Sequence, residues 1–266
     1  MGSSNINNNY AIQSLLLRII HFMRKSIVFI SLLFLLLGLS IVGFAQLKPQ
    51  PILNDPDYDF EKRLRFGFSL GVNFMDFQIK SSAAQFDSIF VDNSTLYPGF
   101  NVNVVSDFRI IPTLHLRFLP GLAFGQRDLY FYDKDPNVEP TVMQLESSYI
   151  EMPLLIKYAA VRKWNSRPYL IAGTNFRVDM AAYKKLNIEE GVYIRLIKGD
   201  IYYEVGFGFD FFLTFFKFST ELKFSSGYRN AIAPPNIQQL TDQEIKYTEA
   251  IHRLKSQVVT LSFHFE

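Results

Sequence analysis

The sequence predicts an all-β protein, a closed eight-stranded antiparallel transmembrane β-barrel in up-and-down meander order behind an N-terminal signal peptide. Three observations carry that reading. Apolar residues recur at every second position through segment after segment, the spacing at which strand side chains alternate between two faces. The links between those segments alternate long and short, as external loops and periplasmic turns do around a membrane barrel. One face of the alternation is crowded with Phe, Leu, Ile and Tyr, while the other holds Gly, Ser, Asn and scattered charges.

Residues 1–45 have the form of an export signal. Arg24 and Lys25 precede an apolar run from Ile27 to Val42, and Gly43-Phe44-Ala45 puts small residues at both positions a signal peptidase reads. Cleavage there leaves Gln46 as the new N-terminus. Met23, directly before the basic pair, has the form of a normal start, which Met1 to His21 lacks. The competing reading is an uncleaved anchor, because the run is close to the shortest length that spans a bilayer. Residues 46–62 hold Pro49, Pro51 and Pro56 among polar neighbours and read as a flexible periplasmic leader. Residues 63–266 are the barrel.

The first strand is the plainest: Leu64, Phe66, Phe68, Leu70, Val72 and Phe74 share one face, with Arg65, Gly67, Ser69, Gly71 and Asn73 on the other. A second follows through Phe100, Val102, Val104 and Phe108. A third runs through Leu114, Leu116, Phe118, Leu122 and Phe124, opposite Arg117, Gly121 and Gly125. The fourth carries Ile150, Met152, Leu154, Ile156 and Tyr158, and the fifth spans Tyr169 to Val178. Strand six sets Ile201, Tyr203, Val205, Phe207, Phe209 and Phe211 against Tyr202, Glu204, Gly206, Gly208 and Asp210. Strand seven alternates Phe216, Phe218, Leu222 and Phe224 with Lys217, Ser219, Glu221 and Lys223; the eighth ends the chain on Val259, Leu261, Phe263 and Phe265. Pro153 would remove a ladder hydrogen bond from strand four, so a bulge or local bend is expected there.

Long links fall near Ile79 to Pro98, Leu129 to Ser147, Asp179 to Asp200 and Tyr228 to Arg253. Short ones fall near Ile111-Pro112, Val161 to Arg167 and Phe212 to Phe215. An even strand count then puts both barrel ends on the periplasmic side of the outer membrane. Volume decides which face is inside. An eight-stranded interior is only just wide enough to be filled by side chains, so the aromatic face belongs against lipid and the small, polar face inside. Closure also pairs every backbone group that lipid could not satisfy.

Composition excludes several classes. The 266 residues contain no Cys, which removes disulfides, thiolate catalysis and cysteine metal sites. Lys+Arg 27 against Asp+Glu 25, with no basic block beyond the targeting pair, gives a nucleic-acid surface no support. No metal or cofactor site is legible. The candidate site is a lumen charge network of Arg117, Glu151, Lys157, Arg177, Glu204, Asp210, Glu221 and Lys223, with Arg65, Asp107 and Lys217 on the same inward face. Such charges are tolerable in a narrow interior only if paired, so the plain reading is a network that fills and rigidifies the barrel; the alternative is a proton or ligand site.

A lipid-modifying enzyme would need an oriented nucleophile or base, and His115, His252 and His264 sit in no Ser/His/Asp spacing. Gly206-Phe207-Gly208 lies inside a strand with no helix after it, so it reads as packing room rather than a phosphate loop. Thr241-Asp242-Gln243-Glu244 reads as a capping box opening a short helix to Ile251 in the last external loop, either a solvated cap or a docking surface. Asn93-Ser94-Thr95 matches a glycosylation sequon by composition only, and in a bacterial chain carries no weight.

Longer strings resemble a known family. Leu64-Arg65-Phe66-Gly67-Phe68-Ser69-Leu70-Gly71-Val72-Asn73-Phe74-Met75-Asp76-Phe77 is similar to the first strand of the PorT/SprT family, outer-membrane barrels of the type IX secretion system in Bacteroidota. The likeness continues through Leu116 to Leu122, Glu151 to Tyr158, Tyr203 to Asp210 and Ser219 to Phe224, with the first string and the six-seven hairpin the more specific part. The resemblance implies a role in exporting cargo proteins across the outer membrane, and in gliding where the organism glides; it carries over no catalytic residue. A lumen plugged by side chains cannot pass a folded protein. The expected role is therefore a non-catalytic accessory or assembly factor that contacts outer-membrane lipid and other secretion components, with no cofactor. The alternatives are a generic small barrel that braces the envelope or binds a small ligand, and a lipid-modifying enzyme.

Overall fold

In the computed structural model the described residues are 52–54, 62–81, 89–92, 97–133, 139–182, 196–232 and 251–266. The expected signal segment, the Thr241 capping box and the Asn93 sequon lie outside them. Ten elements follow in chain order: β1 (Leu64–Ser81), β2 (Ile89–Asp92), β3 (Pro98–Ile111), β4 (Leu114–Phe118), β5 (Gly121–Asp133), β6 (Thr141–Ala159), β7 (Ser166–Asp179), β8 (Gly199–Phe212), β9 (Lys217–Gly227) and β10 (Ile251–Phe265). The ladders join them antiparallel into a ring. β1 closes it by pairing on both sides, Val72 with Phe100 of β3 and with Leu261 of β10.

The ring has the eight members the alternation predicts, because β4 and β5 occupy one position. Phe118 faces Leu154 and Gly121 faces Glu151 on β6 in a single unbroken register. β2 is an addition at one rim, where Phe90 pairs with Tyr132 of β5.

The bulge expected at Pro153 is absent: β6 pairs with β7 without a shift from Tyr149 to Ala159. The accommodation lies on the facing strand, at the break between β4 and β5. Leu119 N–H donates to Pro153 O at 3.1 Å, but proline has no N–H to return. The Asn103 side-chain amide supplies the missing donor to Leu119 O, at 3.1 Å. A side chain from inside the barrel thus replaces the lost ladder bond, and the strand need not deform.

Through most of its height the barrel has the polarity expected of one in lipid. Phe66, Phe118 and Phe207 point outward, Phe66 with 66% of its surface exposed, whereas Ser69, Asn73, Asn101 and Asp107 are buried. An aromatic pair reinforces the seam where first and last strands meet, with ring centroids of Phe68 and Phe265 4.8 Å apart, and another joins β9 to β10, with those of Phe218 and Phe263 6.1 Å apart. Pairs of this kind add about 0.5–1.5 kcal/mol beyond area burial.

Toward the loop end the polarity reverses. There the inward positions Phe77, Leu129, Phe131, Met143, Leu145 and Leu254 form an apolar core, while outward Gln78, Lys80, Gln144 and Glu146 are exposed. The strands run further than their outward apolar pattern, β6 starting at Thr141 and β1 ending at Ser81. A rim surrounded by water must hide its apolar residues inside, so polarity inverts where the lipid belt stops. Roots of two loops fold in over this core, with Ile197 N–H donating to Ala231 O (2.8 Å) and Ala231 N–H to Leu254 O (2.7 Å).

Candidate functional site in the barrel lumen

Strand parity aims the charges inward, and register decides which of them meet. At the end bearing the short turns, Arg117 of β4 donates from Nε (3.2 Å) and Nη2 (3.0 Å) to Asp107 Oδ2 on the adjacent β3. It also reaches across the lumen to Glu221 Oε2 (3.2 Å) and to Glu266 Oε1 (2.8 Å). Lys217 pairs with the other Glu266 oxygen at 2.7 Å. Beside this group, Asp210 accepts from Lys157 Nζ (2.7 and 2.9 Å), from Arg167 Nε (3.1 Å) and Nη2 (2.8 Å), and from Ser219 Oγ (2.7 Å).

One row shows how glycine makes this possible. Tyr169, Gly208 and Glu221 stand opposite one another on β7, β8 and β9. The Tyr169 hydroxyl donates to Glu221 Oε2 at 3.0 Å, passing over the glycine. A Cβ at Gly208 would fall on the Tyr169 ring and 2.5 Å from Thr220 O. The Lys157 ammonium lies 3.8 Å from the centre of that same ring.

A second group lies deeper. Arg177 of β7 pairs with Glu151 (2.8 Å) and Glu204 (3.2 Å), and Lys223 with Glu204 at 2.9 Å. Asn175 (2.8 Å) and Ser225 (2.9 Å) also donate to Glu204 Oε1. Above it Arg127 is held by neutral groups: Ser256 Oγ and the Tyr149 hydroxyl, each at 2.7 Å, Ser147 Oγ, and the Phe77 ring at 4.0 Å from its guanidinium. A cavity lined by Tyr149, Arg177, Tyr202 and Ser256 has room for about one water, at ≈ 10 Å³. The apolar core then seals the mouth.

The residues singled out from sequence therefore fall into two groups. Arg117, Lys157, Asp210 and Glu221 lie in the one near the short turns, and Glu151, Arg177, Glu204 and Lys223 in the deeper one. Sequence reasoning passed over Arg127, Arg167 and Glu266 and weighed His264 only as a catalytic base, although inward parity marks each; Glu266 follows outward Phe265 directly. His115 Nδ1 lies 2.6 Å from Asp107 Oδ1, an acid–imidazole pair, but its Nε2 is buried and meets no hydrogen-bonding partner among the described residues. That pair lacks the hydroxyl a triad would need. Among the described residues no group of His, Cys, Asp or Glu could hold a metal ion.

At the same end Ile52–Asn54 lies against the β6–β7 turn, with Leu53 N–H donating to Asn165 Oδ1 (3.0 Å) and Arg162 to Asn54 O (3.3 Å).

The sequence pattern of the family described as outer membrane protein beta-barrel domain matches residues 44–232. Among solved structures, one similar to this chain is the outer membrane protein OprG from Pseudomonas aeruginosa, at TM-score 0.37 and 13% identity, covering 76% of this chain and 91% of that one. No curated protein matches.

Proposed function

The chain belongs to the outer membrane protein beta-barrel domain family, and from that premise we propose that it is a non-catalytic accessory component of type IX protein secretion, needed for export of cargo proteins. The observation that carries the reading is the filled lumen. Arg117 is fully buried against Asp107, Glu221 and Glu266, and Lys157 against Asp210, and the mouth above them is closed by an apolar core. Such a barrel offers no path for a polypeptide, so it acts through its rims, its leader and its lipid face, with other components forming the conduit. The strand strings from Leu64 to Phe77 and from Tyr203 to Phe224 support the assignment to this secretion system.

In this reading the termini and short turns face the periplasm. The chain has no Cys, so a Cys introduced at Arg229, beside the loops, reacts in intact cells with a membrane-impermeant maleimide, and one introduced at Lys163, in the β6–β7 turn, does not. Deleting the gene abolishes release of type IX cargo, and plasmid copies restore it. Normal release from the deletion strain overturns the proposal. The same packed lumen also suits a barrel that braces the envelope, which predicts altered permeability with secretion intact.

A further inference from the structure

The β1–β10 seam shows what stands just beyond the lipid belt. Its outward pairs run Val72 with Leu261 and Phe74 with Val259, and the apolar series ends there. Above come Asp76 with Gln257, Gln78 with Lys255 and Lys80 with Arg253. Leu64 to Phe74 covers about 33 Å of strand, or about 25 Å of height at a tilt of about 40°, the height of a lipid-facing belt. By the same conversion Lys255 stands about 10 Å, and Lys80 and Arg253 about 15 Å, beyond its edge.

Two cations directly opposite across a ladder repel. Among the described residues no ion pair within 4.0 Å joins Lys80, Arg253 or Lys255 to a carboxylate, and Asp200 attracts Lys255 only from farther off. The nearest outward acid on the seam, Asp76, accepts from the Phe77 N–H. Outward Asp128 and Glu146 belong to β5 and β6. The three cations and Gln78 and Ile79 line an open groove of ≈ 290 Å³.

We propose that this groove binds the phosphorylated saccharide headgroup of lipopolysaccharide in the outer leaflet, with Lys80, Arg253 and Lys255 holding its phosphates. Height selects this lipid. A glycerophospholipid headgroup layer is only about 5–8 Å thick, so even with stems that reach back about 6 Å the charges of Lys80 and Arg253 stand at or beyond its outer edge, whereas an extended sugar phosphate spans the whole height from Lys255 to Lys80 and Arg253. The inference rests on the orientation proposed above, with the loop end outward.

The test uses the mature chain, refolded in detergent and titrated with purified lipopolysaccharide, with its dephosphorylated form and with phosphatidylglycerol. The expected result is tight binding of the phosphorylated form alone, weakened about a hundredfold in K80Q/R253Q/K255Q. These side chains face solvent, and an unchanged heat-shift on gel electrophoresis verifies folding of the variant. Undiminished affinity in the triple variant, or equal affinity for the dephosphorylated form or for phosphatidylglycerol, overturns the proposal. Cargo release and maleimide labelling report separately on the secretion role and the orientation, so either can fail while the binding result stands.

Discussion

Replacing Asp210 by Asn keeps the shape of the side chain and removes the charge that two buried cations share. Asp210 is fully buried, and Lys157 and Arg167 together place four donor contacts of 2.7–3.1 Å on its two oxygens. Breaking a buried pair from one side costs about 3–5 kcal/mol, because the remaining charge stays out of water uncompensated. With a urea slope of about 2 kcal/mol per molar, the unfolding midpoint of Asp210→Asn falls by about 2 M. Trp164, the chain's single Trp and half-exposed on the β6–β7 turn, provides the fluorescence signal in detergent or lipid. Adding Lys157→Met to Asp210→Asn removes one stranded cation and recovers about half of the loss, leaving Arg167 as the remainder. A midpoint within about 0.5 M of wild type for Asp210→Asn refutes the reasoning, since only charges already in contact with water lose so little.

Gly208→Ala, which pushes a Cβ into the Tyr169 ring and Thr220 O, lowers stability by about 1–3 kcal/mol in the same titration; Gly199→Ala, where the nearest atom is 3.8 Å away, has little effect. Phe207→Arg places a cation on the lipid face and costs about 2–4 kcal/mol in a bilayer, seen as loss of the folded gel band from the membrane fraction, while Phe207→Leu inserts normally. In a planar bilayer the wild-type barrel conducts no ions in discrete steps; regular open-channel events of porin size contradict a filled lumen.

Period-two alternation made the eight-member ring legible because every strand of the belt separates two solvents, lipid outside and a polar interior. Where that contrast ends, the signal fails. β6 extends nine residues before Ile150, to Thr141, with Gln144 and Glu146 outside and Met143 and Leu145 inside. The expected loop from Leu129 to Ser147 is thus largely strand, and its reversed pattern looks unlike the rest. Pro153 was legible as a missing donor, but not its remedy, since Asn103 is 50 residues away in sequence and beside Leu119 in space.

By itself the sequence determined which side chains face lipid and which face inward, because parity is local and each strand carries its own. It therefore placed Arg117, Glu151, Lys157, Arg177, Glu204, Asp210, Glu221 and Lys223 inside. Only the tertiary structure decided their partners. Arg117 meets Glu221 104 positions later and Glu266 149 positions later, and those encounters depend on closure of the ring and the stagger of its strands. Closure likewise brings Lys80 opposite Arg253, a juxtaposition set by hydrogen-bond register between the two ends of the chain.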